Sequence, residues 1–119
     1  MLKIATIILT GAAVVLAQDD FRTKVYPVFE GAGCRGCHVE DGVASGTRLH
    51  FPESDANPAR VQAFGLTLAV LVDKSDPSKS LLLNKPTNRI PHTGGERVKP
   101  GSPEEKILSD WVRSPAPAS

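Results

Sequence analysis

The sequence predicts a small all-α domain of three to four short helices joined by long loops. Three observations carry this. Apolar residues recur at spacings of three and four, not in alternation, so helical faces are present and no strand pattern is. Helix-start signals, Asn57-Pro58, Asp76-Pro77 and Ser102-Pro103, punctuate the second half. Ten Gly and ten Pro in 119 residues keep the elements short and the connections long. Aromatics are only 5% of the chain, so little apolar mass is on hand for a core. Loops this long in a compact domain usually have something to wrap, and a large group held inside would make sense of both features.

The first residues are expected to lie outside that domain. Met1-Leu2-Lys3 is a short positive start. Residues 4–17 carry no charge, and Val15-Leu16-Ala17 offers small and medium side chains where a signal peptidase reads them. This is the pattern of a secretory signal peptide over residues 1–17. A membrane anchor is the alternative, but the apolar stretch is short of the ~20 residues that span a bilayer. No Cys follows it to take a lipid. Residues 18–119 would then be a single exported domain, periplasmic or secreted, with no membrane span after cleavage. The formal net charge is +1, from 14 basic and 13 acidic residues, and loss of Lys3 balances the two signs. Nucleic-acid binding has no electrostatic footprint here.

In the exported chain, Asp19 and Asp20 are placed to cap a first helix whose apolar side is Phe21, Val25, Val28 and Phe29. Pro27 should bend or restart it. Gly31, Gly33 and Gly36 loosen the next stretch, and residues 39–57 read as loop. Asn57 caps a second helix with Pro58 at its first position; Val61, Phe64, Leu68, Leu71 and Val72 follow despite Gly65. Asp76-Pro77 opens a short third helix, with Leu81, Leu82 and Leu83 as a buried cluster. Residues 84–101 return to loop, rich in Pro86, Pro91, Gly94, Gly95, Pro100 and Gly101. The last element is the best marked. Ser102-Pro103-Glu104-Glu105 is a capping box, Ile107, Leu108, Trp111 and Val112 share a face, and Ser114-Pro115 ends it.

Cys34-Arg35-Gly36-Cys37-His38 carries the chemistry. C-x-x-C-H is the attachment signature of a c-type haem. Two thiols three residues apart on a helical turn can each add to one vinyl group of the same porphyrin. The adjacent His38 is then held beneath the iron as an axial imidazole, and Gly36 keeps the backbone small where the porphyrin edge lies. Three other readings stay open. A thiol–disulfide exchanger suits an oxidising compartment but normally uses a scaffold with strands. A zinc site wants four ligands, and no second Cys pair exists. A short structural disulfide between Cys34 and Cys37 is the plainest.

On these residues the chain resembles a small class I-type cytochrome c, and more closely the planctomycete-type cytochrome c domain. The likeness spans roughly residues 21–113. It rests on Val25-Tyr26-Pro27-Val28-Phe29, on the C-x-x-C-H motif, on Asp76-Pro77-Ser78-Lys79-Ser80-Leu81-Leu82-Leu83, and on Ile107-Leu108-Ser109-Asp110-Trp111-Val112. The resemblance implies a cytochrome c-like fold with first and last helices crossing at Phe21, Val25, Leu108 and Trp111, and haem c, with its iron, in a cleft. Leu49, Val61, Phe64, Leu68, Leu71, Leu82 and Ile90 are the wall candidates.

The far-side ligand departs from the family's usual pattern, which supplies a Met from the loop before the last helix. The only Met here is Met1, which leaves with the signal peptide. His50 and His92 remain. His92 lies in Arg89-Ile90-Pro91-His92-Thr93-Gly94-Gly95, where the family's Met-Pro loop would fall, and the resemblance suggests that related domains carry an H-x-G-G loop there. Pro91 stiffens the approach and Gly94-Gly95 permits a tight turn. His50 follows His38 by twelve residues, a stretch that can reach ~40 Å when extended, so distance does not exclude it. An open or water-bound iron is the third option. The expectation is metal ligation by His38 and His92, with Cys34 and Cys37 holding the cofactor.

The expected function is one-electron transfer by an exported, monomeric c-type cytochrome, with no enzymatic activity and with separate redox proteins as partners. A haem sensor or catalytic domain with a displaceable sixth ligand is the alternative.

Overall fold

A π-helical turn, Phe21–Val25, runs directly into helix α1, Tyr26–Ala32. Proline explains the change of register. Pro27 has no N–H to return to the preceding turn. The Tyr26 N–H reaches the Phe21 carbonyl, five residues back, and a regular α-helix restarts with Pro27 in its first turn. The cap expected from Asp20 does not form. Its backbone is already helical, at φ −59° and ψ −38°, whereas a capping residue needs an extended backbone to turn its side chain onto the first N–H groups. The Asp20 carboxylate pairs instead with Lys24, 3.5 Å away on the surface. This computed structural model describes residues 20–44, 46–47 and 49–114. The expected signal peptide, 1–17, and Asp19 fall outside them.

α1 ends at Gly33, whose φ of +73° is the left-handed conformation that terminates many helices. A 3₁₀ turn, Cys34–Gly36, follows. The next helix among the described residues is α2, Pro58–Thr67. Asn57 caps it as the sequence predicts, accepting the Arg60 N–H at 2.8 Å. α2 tightens into a 3₁₀ turn, Leu68–Leu71. A third 3₁₀ turn, Pro77–Lys79, begins after Asp76, but Asp73 is the residue that organises the approach. Its Oδ1 accepts the N–H groups of Ser75 and Asp76, both at 3.0 Å. Helix α3, Leu81–Asn84, buries Leu82 and Leu83, while Leu81 is half-buried.

Helix α4, Pro103–Val112, closes the domain. The Ser102 hydroxyl accepts the Glu105 N–H at 3.2 Å, one half of the expected capping box. The other half is displaced by one residue. Glu105 Oε1 takes the Gly101 N–H at 2.8 Å, and the carboxylate also receives Arg89 from the preceding loop. Among the described residues there is no strand, and no helix is long and apolar enough to cross a membrane. The domain is all-α, as predicted.

The few aromatics are concentrated in one place. Phe21, Tyr26, Phe29, Phe51, Phe64 and Trp111 form a continuous chain of ring contacts, the closest being Phe51 on Phe64 at 4.7 Å between centroids. Fully burying each such ring is worth about 1.5–3 kcal/mol. The first and last helical segments meet where the resemblance implies: Phe21 and Trp111 lie 5.2 Å apart, with Val25 and Leu108 in the same buried cluster.

Gly65, in the middle of α2, is required by this contact. A β-carbon there would stand 2.7 Å from the Phe21 ring, which is itself held by Trp111 and Phe64. Gly65→Ala is expected to destabilise by ~1–3 kcal/mol through overpacking. Thermal melting reads this directly, and an unchanged midpoint would show that the ring shifts freely.

Candidate functional site

The end of α1 delivers the C-x-x-C-H segment as one tight turn. The Gly36 N–H bonds to the Gly33 carbonyl at 3.0 Å. The Cys34 carbonyl accepts from both Cys37, at 3.3 Å, and His38, at 3.1 Å. Both thiols are free, and both residues are half-buried. Burial pushes the Cys34 thiol up to about 11. That is the wrong direction for a thiol–disulfide exchanger, whose attacking sulfur needs a depressed value to be thiolate at neutral pH. Downstream the loop folds back onto the turn, with the Ala44 N–H donating to the Cys37 carbonyl at 3.0 Å. Gly42 makes this possible, since a β-carbon there would lie 2.4 Å from the Cys37 oxygen.

His92 is presented by a second, self-bonded loop. Its N–H donates to Asn88 Oδ1 at 2.9 Å, and Asn88 adopts a left-handed backbone, φ +59°, to offer it. Lys85 Nζ bonds to the Pro91 carbonyl at 2.8 Å. The Arg97 and Val98 N–H groups both reach the Pro86 carbonyl. The Gly95 N–H closes a turn onto the His92 carbonyl at 2.8 Å, with Gly95 at φ +75°. Gly94 lets the ring fold back over the turn: a β-carbon there would sit 3.0 Å from His92 Cε1.

These loops bring the two imidazoles close together. The rings of His38 and His92 are parallel to within 5°, with centroids 6.3 Å apart. Each Nδ1 is engaged. His92 Nδ1 lies 2.8 Å from the Gly95 carbonyl, which can only accept, so Nδ1 carries the proton. His38 Nδ1 lies 3.3 Å from the Thr47 hydroxyl, whose own hydrogen goes to the Ala44 carbonyl at 2.8 Å. Thr47 must therefore accept from His38. Both rings are left in the tautomer with a free lone pair on Nε2. Burial, and then the neighbouring His92, lower the His38 pKa and favour its neutral form.

This donor set fits an axially ligated iron. Two metal–imidazole bonds of about 2 Å, plus the roughly 1.1 Å from each ring nitrogen to its ring centre, span about 6 Å. A metal-bound His commonly donates its second ring N–H to a carbonyl or similar acceptor, as both rings do here. Among the described residues no three His, Cys, Asp or Glu side chains converge as a metal-ion site, which leaves the zinc reading without its ligands. His50 is exposed, and His92 is the histidine whose ring faces His38.

No protein-family model matches this chain, and no curated protein or solved structure matches it either. The functional reading therefore rests on the residues themselves.

Of the wall candidates, Val61, Phe64, Leu68 and Leu82 are buried in the protein core, and Leu49 and Leu71 pack at its margin. Ile90 is half-buried. A surface groove of about 400 Å³ lies elsewhere, between α3 and α4. Ser78, Arg89, Glu105 and Arg113 line it, none of the C-x-x-C-H residues or His92 does, and its Arg89 is neutralised by Glu105. Sequence reasoning missed Gly42, Thr47 and Asn88. Gly42 and Asn88 act through a backbone fold-back and a turn conformation, and Thr47 through a hydroxyl nine residues from His38; no local spacing marks these.

Proposed function

We propose that this chain is an exported c-type cytochrome, a one-electron carrier with a single covalent haem ligated by His38 and His92. The parallel imidazoles, 6.3 Å apart with both Nδ1 atoms engaged, carry the reading. Cys34 and Cys37 would hold the cofactor. Each thiol would add across one vinyl group, sulfur to one carbon and hydrogen to its neighbour, with no net oxidation. The bound haem would supply an iron that exchanges one electron.

The protein's part is to fix the two nitrogens and keep other molecules off the metal. With His38 and His92 both holding the iron, neither oxygen nor peroxide would have a place to bind, which favours transfer over catalysis. Imidazole in place of Met lowers the potential, since Met/His ligation raises it. The balanced charge predicts weak steering toward its redox partner proteins and a mild salt dependence.

Export with c-type maturation, followed by mass measurement and a pyridine spectrum, tests this. One haem per chain that survives acid–acetone extraction is expected. Bare thiols or a Cys34–Cys37 disulfide in such a sample would end the reading. Rapid carbon monoxide binding by the reduced protein would replace the carrier with a sensor or catalytic site.

A further inference from the structure

The chemistry of the attachment motif uses two thiols and an imidazole; Arg35, between the thiols, has no part in it. Its side chain is nevertheless three-quarters buried, at 24% exposure, and bonded to three separate places. Nε donates to the Pro52 carbonyl at 2.9 Å. Nη1 donates to Glu30 Oε2 at 2.9 Å, and Nη2 to Glu30 Oε1 and to the Tyr26 hydroxyl, the latter at 2.7 Å. Tyr26 and Glu30 stand on α1, and Pro52 is fully buried.

The segment that Arg35 grips also grips His38. The Phe51 N–H donates to the His38 carbonyl at 2.6 Å. Arg35 and His38, three residues apart, are thus tied to the adjacent residues Pro52 and Phe51. That segment is rigid, because the Phe51 ring is wedged against Phe29 and Phe64. The remaining freedom of the His38 ring is limited by Thr47, whose hydroxyl also accepts the Leu49 N–H on the loop that Phe51 anchors.

We propose that Arg35 is a positioning residue: its clamp on Tyr26, Glu30 and Pro52 sets the rotation of the His38 imidazole and so its parallel alignment with His92. This rests on the haem reading above. The guanidinium is suited to the task because its planar fork makes several bonds in fixed directions, which an ammonium cannot reproduce. A residue kept only for its charge would tolerate lysine.

Electron paramagnetic resonance of the oxidised holoprotein is the test, because it responds to the angle between the axial ring planes. Parallel rings give a rhombic low-spin signal; rings twisted toward perpendicular give a single feature at large g. The wild type is expected to be rhombic. Arg35→Lys should keep a low-spin optical spectrum while its g values move away from the rhombic set. Tyr26→Phe, which leaves the Pro52 and Glu30 bonds, should keep the wild-type signal. If Arg35→Lys yields no loaded protein, Glu30→Gln is read the same way. Shifted g values support the proposal and unchanged ones overturn it. A wild-type signal already of the large-g kind overturns it as well. A wild type without haem, or with one imidazole ligand, instead defeats the proposed function.

Discussion

His92→Ala should convert a low-spin iron into a high-spin or water-bound one and open it to carbon monoxide. The substitution removes one of the two parallel imidazoles whose ring centres lie 6.3 Å apart. Nothing nearby replaces it without rearrangement. The only methionine is Met1, a lysine would have to lose its proton to bind, and His50 is exposed while another ring faces His38. The loop should survive the change, because the bonds from Lys85 to Pro91 and from Arg97 and Val98 to Pro86 do not involve the imidazole. The loss is therefore local, and circular dichroism should report an unaltered helix content. His92→Met should restore six-coordination and raise the potential; axial-ligand identity moves haem potentials over about 0.8 V, so ~0.1 V or more is expected. His50→Ala should leave the optical spectrum as it is. Should His50→Ala open the iron while His92→Ala does nothing, the two histidines exchange roles.

How much of this was legible before the structure depends on whether a signal is local. Asn57 and Ser102 announce their helices because a cap acts within three residues, and both act as caps. Spacing places Phe21 with Val25, and Leu108 with Trp111, on two separate apolar faces; that the two faces meet is what the resemblance implies, and the four residues share one buried cluster. Asp20 fails as a cap because its own backbone is already helical, which no local capping signal reveals. The scarcity of aromatics suggested a thin core, but scarcity says nothing of clustering, and the rings gather in one place. At the proposed site, Cys34, Cys37, His38 and His92 are named from type and position, and the fold brings the His38 and His92 rings together. Their support was not legible in the sequence. Thr47 fixes a tautomer and Arg35 fixes a turn through contacts nine and seventeen residues away, which no periodicity encodes.

Removing the thiols is the second large effect. Cys34→Ala and Cys37→Ala should each cut the yield of covalently loaded protein to a small part of the wild type, and the double variant should hold no haem through acid–acetone extraction. The two singles need not be equal. Cys34 packs against the hydrophobic core, so its alanine variant also loses contacts, whereas Cys37 lies outside that cluster. The serine variants separate the two causes. Serine keeps the volume but offers no sulfur, so a loss shared by Cys34→Ser and Cys34→Ala belongs to attachment, and any excess in alanine belongs to packing. The rival chemistry predicts a different pattern. A thiol–disulfide exchanger would lose reductase activity in the same variants and would show a Cys34 that alkylates readily near neutral pH. Burial, which holds that thiol at about 11, opposes ready alkylation. Slow alkylation of Cys34 in haem-free wild type, together with extractable haem in the double variant, is the expected pair of results. Haem that resists extraction without either cysteine would show that the motif is not the point of attachment.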